Sequence, residues 1–399
     1  MKAAPLAAIL ALTSQFCPAS DWLQFRGPLS SGNAPSTAGA GNLALSWKAP
    51  LPGRGLSSPL IAGNRVFLTA ASGPKQETLH VLCFDATTGN SLWERSFRAT
   101  GRTMCHEKTC NAAPTPCSDG SRIFALFSSN DLLCLDLDGN LLWLRGLMVD
   151  FPNAANSLGL ASSPIIAGNS LITQIENDSE SFTAGISRET GTTLWTRPGP
   201  KDANWTSPAV QRDPDGSETL IIAARDGAAA LDPDTGRERW KLPGPGSSIP
   251  SITVSGPWLA QPRPGKGHAL WKLSSGTTPP QLAWESPQVP ADTASPVIHG
   301  NNLFSVSSAG VLTCASLDDG SRPWKLRLDG KFSGSPVMAG PILFIGSELG
   351  TLIAADTSAP EGRITARLDL GEPILCTPSL ANQAVFVRSD KSLWKIECR

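Results

Sequence analysis

The sequence predicts an all-β protein, an eight-bladed β-propeller built from four-stranded blades. Two markers recur in step along the 399 residues: a small-small-Pro opening and a turn that ends in tryptophan. Short apolar runs of strand length, such as "NRVFLTA" and "ILFIGS", lie between the markers. Four short strands in about 40 to 50 residues are typical of one propeller blade.

The opening marker places a proline at the start of a predicted strand, where the missing N–H costs no ladder hydrogen bond. No segment between the openings has the pattern of a long amphipathic helix. The eight openings are "SSP" from Ser57, "AAP" from Ala112, "SSP" from Ser162, "TSP" from Thr206, "SIP" from Ser248, "ASP" from Ala294, "GSP" from Gly334 and "CTP" from Cys376.

The second marker is a D-x-x-T-G turn followed by tryptophan, as in "FDATTGNSLW" and "LDPDTGRERW". Asp and Thr side chains can bond the turn backbone, and glycine supplies the positive φ that the turn needs. We expect the tryptophan to fill the gap between adjacent blades with its large apolar face. The predicted inter-blade tryptophans are Trp47, Trp93, Trp143, Trp195, Trp240, Trp284 and Trp324, and Ala366 takes the eighth position.

The order of the markers predicts how the ring closes. Trp47 comes before the first opening, and the chain ends before the last blade has a fourth strand. We therefore expect the N-terminal strand to complete the C-terminal blade, because an open ring would leave exposed sheet edges. The predicted organisation is a signal peptide over 1–20, an N-terminal segment with the ring-closing strand over 21–50, and the propeller over 51–399.

The first residues have the pattern of a secretory signal, with Lys2 before a short apolar stretch and small residues near Ala19. Phe16 is bulky where a lipoprotein signal requires a small residue, which disfavours a lipid anchor at Cys17. No later segment approaches the ~20 apolar residues of a membrane span. The sequence therefore predicts an exported protein of the periplasm or cell envelope, without a transmembrane segment.

The remaining eight cysteines permit disulfides in an exported chain. Cys105 and Cys110 in "MCHEKTC" are the most plausible local pair. The alternative is free, buried thiols, since Cys83, Cys134 and Cys314 occupy like positions in strand-like runs.

The 33 basic and 34 acidic residues nearly cancel, which gives no electrostatic case for binding nucleic acid or an anionic membrane. We expect a monomer. The four histidines, among them His80 and His299 as expected surface residues, are too few and too scattered for a multi-histidine metal site.

The repeated turn and strands resemble the PQQ-type repeat of quinoprotein dehydrogenases and of the propeller subunit that assists outer-membrane protein assembly. The phrases "DWLQFRGPLSSG", "HEKTCNAAPTPCSDGSRIFALF" and "LGEPILCTPSLANQAVFVRSDKSLWKIE" are similar to exported PQQ-like propellers of planctomycete-type bacteria. The resemblance covers essentially the whole mature chain. It implies the propeller fold but assigns no biochemical role, because propellers host many functions.

A quinoprotein enzyme is the first alternative that the resemblance implies. Such an enzyme would hold PQQ over the central channel, bind Ca²⁺ through a carboxylate and an amide, and use an Asp base. The chain has no adjacent cysteine pair, no C-x-x-C-H haem motif and no stretch that matches the calcium motifs. We therefore expect no cofactor and assign no catalytic residue, with a PQQ- and calcium-dependent alcohol or sugar oxidoreductase as the alternative.

Two long inter-blade connections, 98–111 and 145–160, are predicted to emerge on the same face. Loops on a rigid ring commonly carry function, and mixed polar and apolar residues suit a protein or peptide contact. The alternative is that these loops only pack over the channel mouth. The candidate binding residues are His106, Glu107 and Lys108 in the first loop and Met148, Asp150 and Phe151 in the second.

Trp22, Phe25 and Arg26 in "DWLQFRG" form a candidate N-terminal patch for a partner or a glycan. The alternative is that this segment tucks against the ring, with Arg26 pairing locally. The sequence as a whole favours a non-catalytic exported scaffold that binds a protein or peptide, with the oxidoreductase and a glycan-binding module as alternatives.

Overall fold

The computed structural model describes residues 21–35, 39, 42–154 and 158–399. In these residues 33 strands form eight sheets, seven of four strands and one of five. The eight-bladed propeller predicted from the repeats is confirmed. Two short 3₁₀ turns, Pro28–Ser30 and Leu147–Val149, are the helical elements of the described residues, and none of their helices is long and apolar enough to cross a membrane.

The strands of each blade follow one another from the channel outward, except for the first two strands of the chain. Those two are β1 (Asn33–Ala34) and β2 (Leu43–Pro50). Blade 1 contains β3 (Leu60–Ala62), β4 (Arg65–Ser72), β5 (Thr78–Asp85) and β6 (Ser91–Arg98). Blade 2 contains β7 (Cys117–Ser118), β8 (Arg122–Leu126), β9 (Asp131–Asp136) and β10 (Leu141–Gly146). Blade 3 contains β11 (Ile165–Ala167), β12 (Ser170–Ile175), β13 (Phe182–Ser187) and β14 (Thr193–Pro198). Blade 4 contains β15 (Ala209–Arg212), β16 (Glu218–Ala224), β17 (Gly227–Leu231) and β18 (Glu238–Pro243).

The second half of the ring repeats this order. Blade 5 contains β19 (Thr253–Ser255), β20 (Trp258–Arg263), β21 (Gly267–Lys272) and β22 (Gln281–Ser286). Blade 6 contains β23 (Val297–His299), β24 (Asn302–Val306), β25 (Val311–Ser316) and β26 (Trp324–Arg327). Blade 7 contains β27 (Val337–Ala339), β28 (Ile342–Gly346), β29 (Thr351–Asp356) and β30 (Arg363–Asp369). The last strands are β31 (Ser379–Ala381), β32 (Ala384–Arg388) and β33 (Ser392–Cys398).

Blade 8 combines the two ends of the chain, as the order of the markers predicts. Its strand order is β2-β33-β32-β31, so the N-terminal strand is the outermost of the blade. The pairing is antiparallel and runs from Leu43 opposite Cys398 to Pro50 opposite Ser392. Because β2 covers the free edge of β33, closure removes the edge that an open ring would expose.

A ring of hydroxyl side chains joins the innermost strands, and we call it the hydroxyl ring. Its members are Ser58, Thr115, Ser163, Ser207, Ser251, Ser295, Ser335 and Thr377, one from each blade. The backbone N–H of each of the first seven donates to the hydroxyl oxygen of the next member at 2.8–3.0 Å. Each blade therefore satisfies a buried N–H with a side chain of its neighbour, which fixes the blades in register.

The hydroxyl ring corrects two of the predicted openings. In blade 2 the ring member is Thr115, which precedes Pro116, and not a residue of the "AAP" opening Ala112–Pro114. In blade 5 it is Ser251, which follows the "SIP" opening Ser248–Pro250. The feature common to all eight blades is the hydroxyl residue, and proline only accompanies it in seven.

Each tryptophan of the repeated turn contacts the following blade. The indole N–H of Trp93 donates to the Leu137 carbonyl at 2.9 Å, and its ring lies where a Cβ on Gly139 would come within 2.8 Å. Gly139 also has a φ of 82°. The glycine therefore serves both the turn conformation and the close approach of the tryptophan. The indoles of Trp47, Trp143, Trp195 and Trp284 donate to the next blade in the same way, and Trp240 and Trp324 are buried.

Residues 21–35 cross the lower face of the ring, by which we mean the face that carries the D-x-x-T-G turns. Trp22 forms a bridge with Ile61 of blade 1, and β1 pairs in parallel with β27 of blade 7. Between these points, the Arg26 guanidinium donates to the Thr253 hydroxyl at 2.8 Å and to the Pro296 carbonyl. The segment therefore spans the channel from one side of the ring to the other.

Candidate functional site

The central channel holds a cavity of about 440 Å³ that opens toward the upper face, the face opposite the D-x-x-T-G turns. The hydroxyl ring lines the cavity wall, and Phe25 of the crossing segment also contributes to its lining. Leu56, Ala161, Ile249 and Leu375 add apolar surface. The cavity thus combines a polar girdle with apolar walls, a combination that is typical of ligand sites.

The hydroxyl ring leaves its own protons without a protein partner. Seven of its oxygens accept an inter-blade N–H, and Ser58 Oγ is buried with no partner. Within the described part of the chain, none of the eight O–H groups donates to a protein acceptor. Because a hydroxyl can donate and accept together, the ring offers donors to whatever occupies the channel.

The two long inter-blade loops meet at the mouth of this channel. The His106 N–H donates to the Leu158 carbonyl at 3.0 Å, and the Thr109 hydroxyl donates to the same carbonyl at 2.8 Å. Lys108 reaches across the mouth and pairs with Glu348 of blade 7 at 3.5 Å. His106, Glu107 and Lys108 are all exposed. The first loop therefore lines the channel and also presents polar groups to solvent.

The second loop places its predicted residues away from the channel. Met148 accepts a hydrogen bond from the Asn130 amide, and Asp150 is paired with Arg145. Phe151 stacks on Phe182 of blade 3, with 3.7 Å between the ring centroids. Both aromatic rings border a second cavity of about 330 Å³ that also includes Lys201 and Glu180. The structure therefore separates Phe151 from His106 and Lys108.

Large apolar side chains are exposed on the upper face, and no sequence pattern had indicated them. Val149 is 84% exposed, Leu349 is 74% exposed and Met104 is 63% exposed. Leu158 and Ile249, at the channel mouth, are also exposed. We call these five residues the upper apolar rim. They lie in connecting loops, where strand periodicity gives no signal of exposure.

The candidate N-terminal patch is not an exposed patch. Trp22 is 0% exposed and Arg26 is 1% exposed, because both are covered where the segment crosses the lower face. Burial lowers the pKa of the Arg26 guanidinium to about 9. Phe25 is half-buried and lines the channel. Arg26 donates locally to the Ser31 carbonyl at 3.5 Å, and its other partners, Thr253 and Pro296, are in blades 5 and 6.

The predicted Cys105–Cys110 bridge is wrong. All eight cysteines of the described residues are free thiols. The Cys105 side chain contacts Ser128 in blade 2, whereas Cys110 is buried in the apolar core between blades 1 and 2. The two thiols thus pack into different environments although only four residues separate them. Burial raises the pKa of the Cys110 thiol to about 12.

His80 is buried and not a surface residue as expected. One ring nitrogen lies 2.7 Å from the Ser72 hydroxyl and the other lies 2.7 Å from a Glu94 oxygen. Serine hydrolases use a serine, a histidine and an acid in this order. Here, however, Gly53 packs on the serine, since a Cβ added to Gly53 would come 3.1 Å from the Ser72 Cβ. Because Gly53 packs so closely on Ser72, we interpret Ser72 and Glu94 as the hydrogen-bond partners of a buried histidine, His80.

The described residues contain no group of three His, Cys, Asp or Glu side chains that could hold a metal ion. The buried carboxylate of Glu176 lies beside the amides of Asn204 and Gln174, but each amide donates an N–H to it. Burial raises the pKa of Glu176 to about 7.

Comparison with known proteins identifies the family. The family described as "Outer membrane protein assembly factor BamB" matches residues 42–172, 77–251, 259–358 and 317–399. No curated protein matches the sequence.

Solved structures share the fold at low sequence identity. BamB from Moraxella catarrhalis is 16% identical, with a TM-score of 0.65 over 89% of this chain and 97% of that one. A europium-containing methanol dehydrogenase is 12% identical, with a TM-score of 0.76 over 95% and 98%. The quinohemoprotein alcohol dehydrogenase from Comamonas testosteroni is 12% identical, with a TM-score of 0.71 over 94% and 80%. The family matches cover most of the chain, which therefore belongs to the family of the outer membrane protein assembly factor BamB.

Proposed function

We propose that this protein is a non-catalytic scaffold that binds a protein or peptide partner through its upper face. The observation that carries the proposal is the upper apolar rim, which places five large exposed apolar side chains on one face, three of them in the two long loops. Exposed apolar surface that exceeds scattered single residues marks interaction sites. The description of the family, which names a protein assembly factor, agrees with a binding role.

The polar neighbours of the rim suit a specific contact. Lys108, Glu107 and His106 lie at the channel mouth, and Arg145 and Asp150 lie near Val149. An interface that combines apolar and charged groups gains affinity from the first and orientation from the second. A partner on the upper face would also cover the open end of the channel.

Site-specific photo-crosslinking tests this proposal. A crosslinking amino acid at Val149 or Leu349 is expected to capture the same envelope protein in the native host. The matched control is Leu92, which is 48% exposed on an outermost strand of the ring. The binding role is rejected if the rim positions yield no more product than Leu92, or if each rim position captures a different protein.

The oxidoreductase remains the alternative, and it has a direct test. A ligand at 100 times its dissociation constant stabilises a protein by ~2.7 kcal/mol, which shifts the melting temperature by a few degrees. We expect no such shift with PQQ and Ca²⁺ and no reduction of a redox dye with alcohols or sugars. A shift together with dye reduction would replace the scaffold proposal. The glycan alternative has no support from Trp22, which is fully buried.

We further propose that the protein is exported to the cell envelope as a monomer. The support is the signal-like pattern of residues 1–20, which lie outside the described residues, and the outer membrane in the description of the family. Mass spectrometry of the mature protein is expected to find an N-terminus near residue 21. Sedimentation is expected to give the mass of one chain.

A further inference from the structure

We propose that the channel binds the C-terminal carboxylate of a polypeptide whose last residue is apolar. The inference rests on the proposed function, since the chain end would belong to the partner on the upper face. The site combines the hydroxyl ring, Lys108 and the apolar walls of the cavity. It would turn a general protein-binding face into one that recognises a free chain end.

The hydroxyl ring supplies the hydrogen bonds. Seven members use their oxygens to accept inter-blade N–H groups, which leaves their protons to be donated elsewhere. Ser58 is a lining residue of the cavity, and its Oγ is buried and has no partner. A carboxylate is a pure acceptor with about four lone-pair sites, so it matches a wall of donors.

The charge distribution selects an anion. Lys108 and His106 belong to the cavity lining, and among the described lining residues there is no Asp or Glu. The 3.5 Å pair of Lys108 with Glu348 is long, and the Ser333 hydroxyl donates to the same carboxylate at 2.6 Å. Lys108 can therefore turn to an incoming carboxylate while Glu348 keeps a donor.

The apolar wall selects what precedes the carboxylate. Leu56, Ala161, Ile249 and Leu375 surround the space together with Trp205, whose indole N–H is already bonded to the Gly159 carbonyl at 2.7 Å. With that N–H occupied, Trp205 offers the cavity mainly apolar ring surface.

The shape of the cavity favours a chain end. The segment 21–35 crosses the lower face, and the upper mouth is the side on which the partner is proposed to dock. A cavity of about 440 Å³ suits one or two residues. An acidic side chain inside a sequence has chain on both sides, so two chain segments would have to pass the mouth. A C-terminal residue has chain on one side only, so one segment passes.

Binding of short labelled peptides tests the inference. Three peptides serve as probes. The first ends in phenylalanine with a free C-terminal carboxylate, and the second is the C-terminal amide of the first. The third ends in aspartate with an amidated C-terminus, so its only terminal carboxylate is the side chain. Fluorescence anisotropy with the full mature protein is expected to show at least tenfold tighter binding of the free acid than of either amide, which is the scale of hydrogen bonds to a charged group. Equal binding of acid and amide would overturn the inference, as would no binding to the folded protein.

Two variants test whether the peptide binds in the channel. Ser58→Ala removes one donor without removing the acceptor of an inter-blade N–H, and Lys108→Gln removes the charge at the mouth. Each variant is expected to weaken binding of the free-acid peptide at least threefold and to leave binding of the amide unchanged. Added salt is expected to reduce the effect of Lys108→Gln. Lys75→Gln, at an exposed loop lysine, is the control for charge. If neither variant weakens the acid, the peptide binds elsewhere and the assignment of the channel is wrong.

Two further comparisons separate the possible failures. If octanoate displaces the peptide as tightly as the unlabelled peptide binds, the ligand is a small carboxylic acid and the chain-end inference fails. If crosslinking at Val149 and Leu349 still captures one protein while no peptide acid binds, the upper-face proposal stands and only the channel inference falls. Melting curves of each variant confirm that it is folded.

Discussion

At the scale of single residues, burial decides which groups have unusual properties. Glu176 is buried between blades 3 and 4 and accepts hydrogen bonds from the amides of Gln174 and Asn204. Those amides stabilise its charged form, but removal from water costs more, so its pKa rises to about 7. The carboxyl group thus holds its proton in the folded protein at pH values where the unfolded chain loses it.

This difference makes stability depend on pH. Between pH 4.5 and about 7 the folded state binds the proton more tightly, so the free energy of unfolding falls as pH rises and is lowest above pH 7. We expect Glu176→Gln to remove roughly 3 kcal/mol of this dependence. Urea titrations at pH 5 and pH 8 should find the variant close to the wild type at the lower pH and more stable than it at the higher pH.

The control for this experiment is Glu361→Gln, at an exposed position. Gln174 Oε1 has no partner and can accept an N–H from the new amide. Equal pH dependence of the wild type and Glu176→Gln would contradict the assignment of the titrating group.

A second residue-scale prediction compares Gly139 of the repeated turn with Gly120, which lies in the turn between β7 and β8. Gly139 and Gly120 both have a positive φ, 82° and 89°, but only at Gly139 would a Cβ meet a neighbour, the ring of Trp93. Gly139→Ala should therefore destabilise the protein by about 2 kcal/mol more than Gly120→Ala, because it adds a steric clash to the same backbone strain. Chemical denaturation compares the two directly, and equal losses would show that the tryptophan contact adds nothing.

At the scale of elements, the innermost strands are held together by side chains and not by a shared sheet. The N–H of Ser163 donates to the hydroxyl of Ser207, whereas no N–H of the described residues donates to the hydroxyl of Ser58. The eight members therefore look alike in sequence, but removal of the hydroxyl leaves a buried N–H without an acceptor in some blades and not in others. The contribution of each hydroxyl to stability thus depends on the neighbouring blade.

This difference predicts unequal effects of the same substitution. Ser207→Ala leaves the buried Ser163 N–H without an acceptor, which should cost about 1–3 kcal/mol. Ser58→Ala strands no N–H and should cost less than about 1 kcal/mol. Thermal melts followed by circular dichroism measure both. A loss for Ser58→Ala as large as that for Ser207→Ala would mean that the ring is held by packing and not by these hydrogen bonds.

At the scale of the whole molecule, the N-terminal region has two separate structural tasks. Strand β2 completes blade 8, and the segment before it crosses the lower face under the channel. The two tasks can be tested separately because the segment precedes the strand along the chain. Ring closure should be the more important, since β2 covers the outer edge of β33 from Leu43 to Pro50, whereas β1 pairs with β27 only at Asn33 and Ala34.

Two truncations make this comparison. A chain that begins at residue 52 lacks β2, so the free edge of β33 should cause association and loss of a cooperative melt. A chain that begins at residue 39 keeps β2 and should remain monomeric, with a lower melting temperature because the hydrogen bonds from Arg26 to Thr253 and Pro296 are lost. Size-exclusion chromatography and melting curves distinguish these outcomes. A monomeric, cooperative protein from residue 52 would contradict the closure argument.

The sequence by itself determined the repeat, the number of blades and the closure of the ring, because turn chemistry and strand length are local properties whose signals recur in each blade. The same local signals located the two loops at the upper face. Only the tertiary structure decided that Thr115 and Ser251 belong to the hydroxyl ring, that Cys105 and Cys110 stay apart, and that Trp22 and Arg26 are buried. It also decided the pKa of Glu176 and the position of the upper apolar rim. These properties depend on neighbours that are distant along the chain, and the pattern around a residue does not name those neighbours.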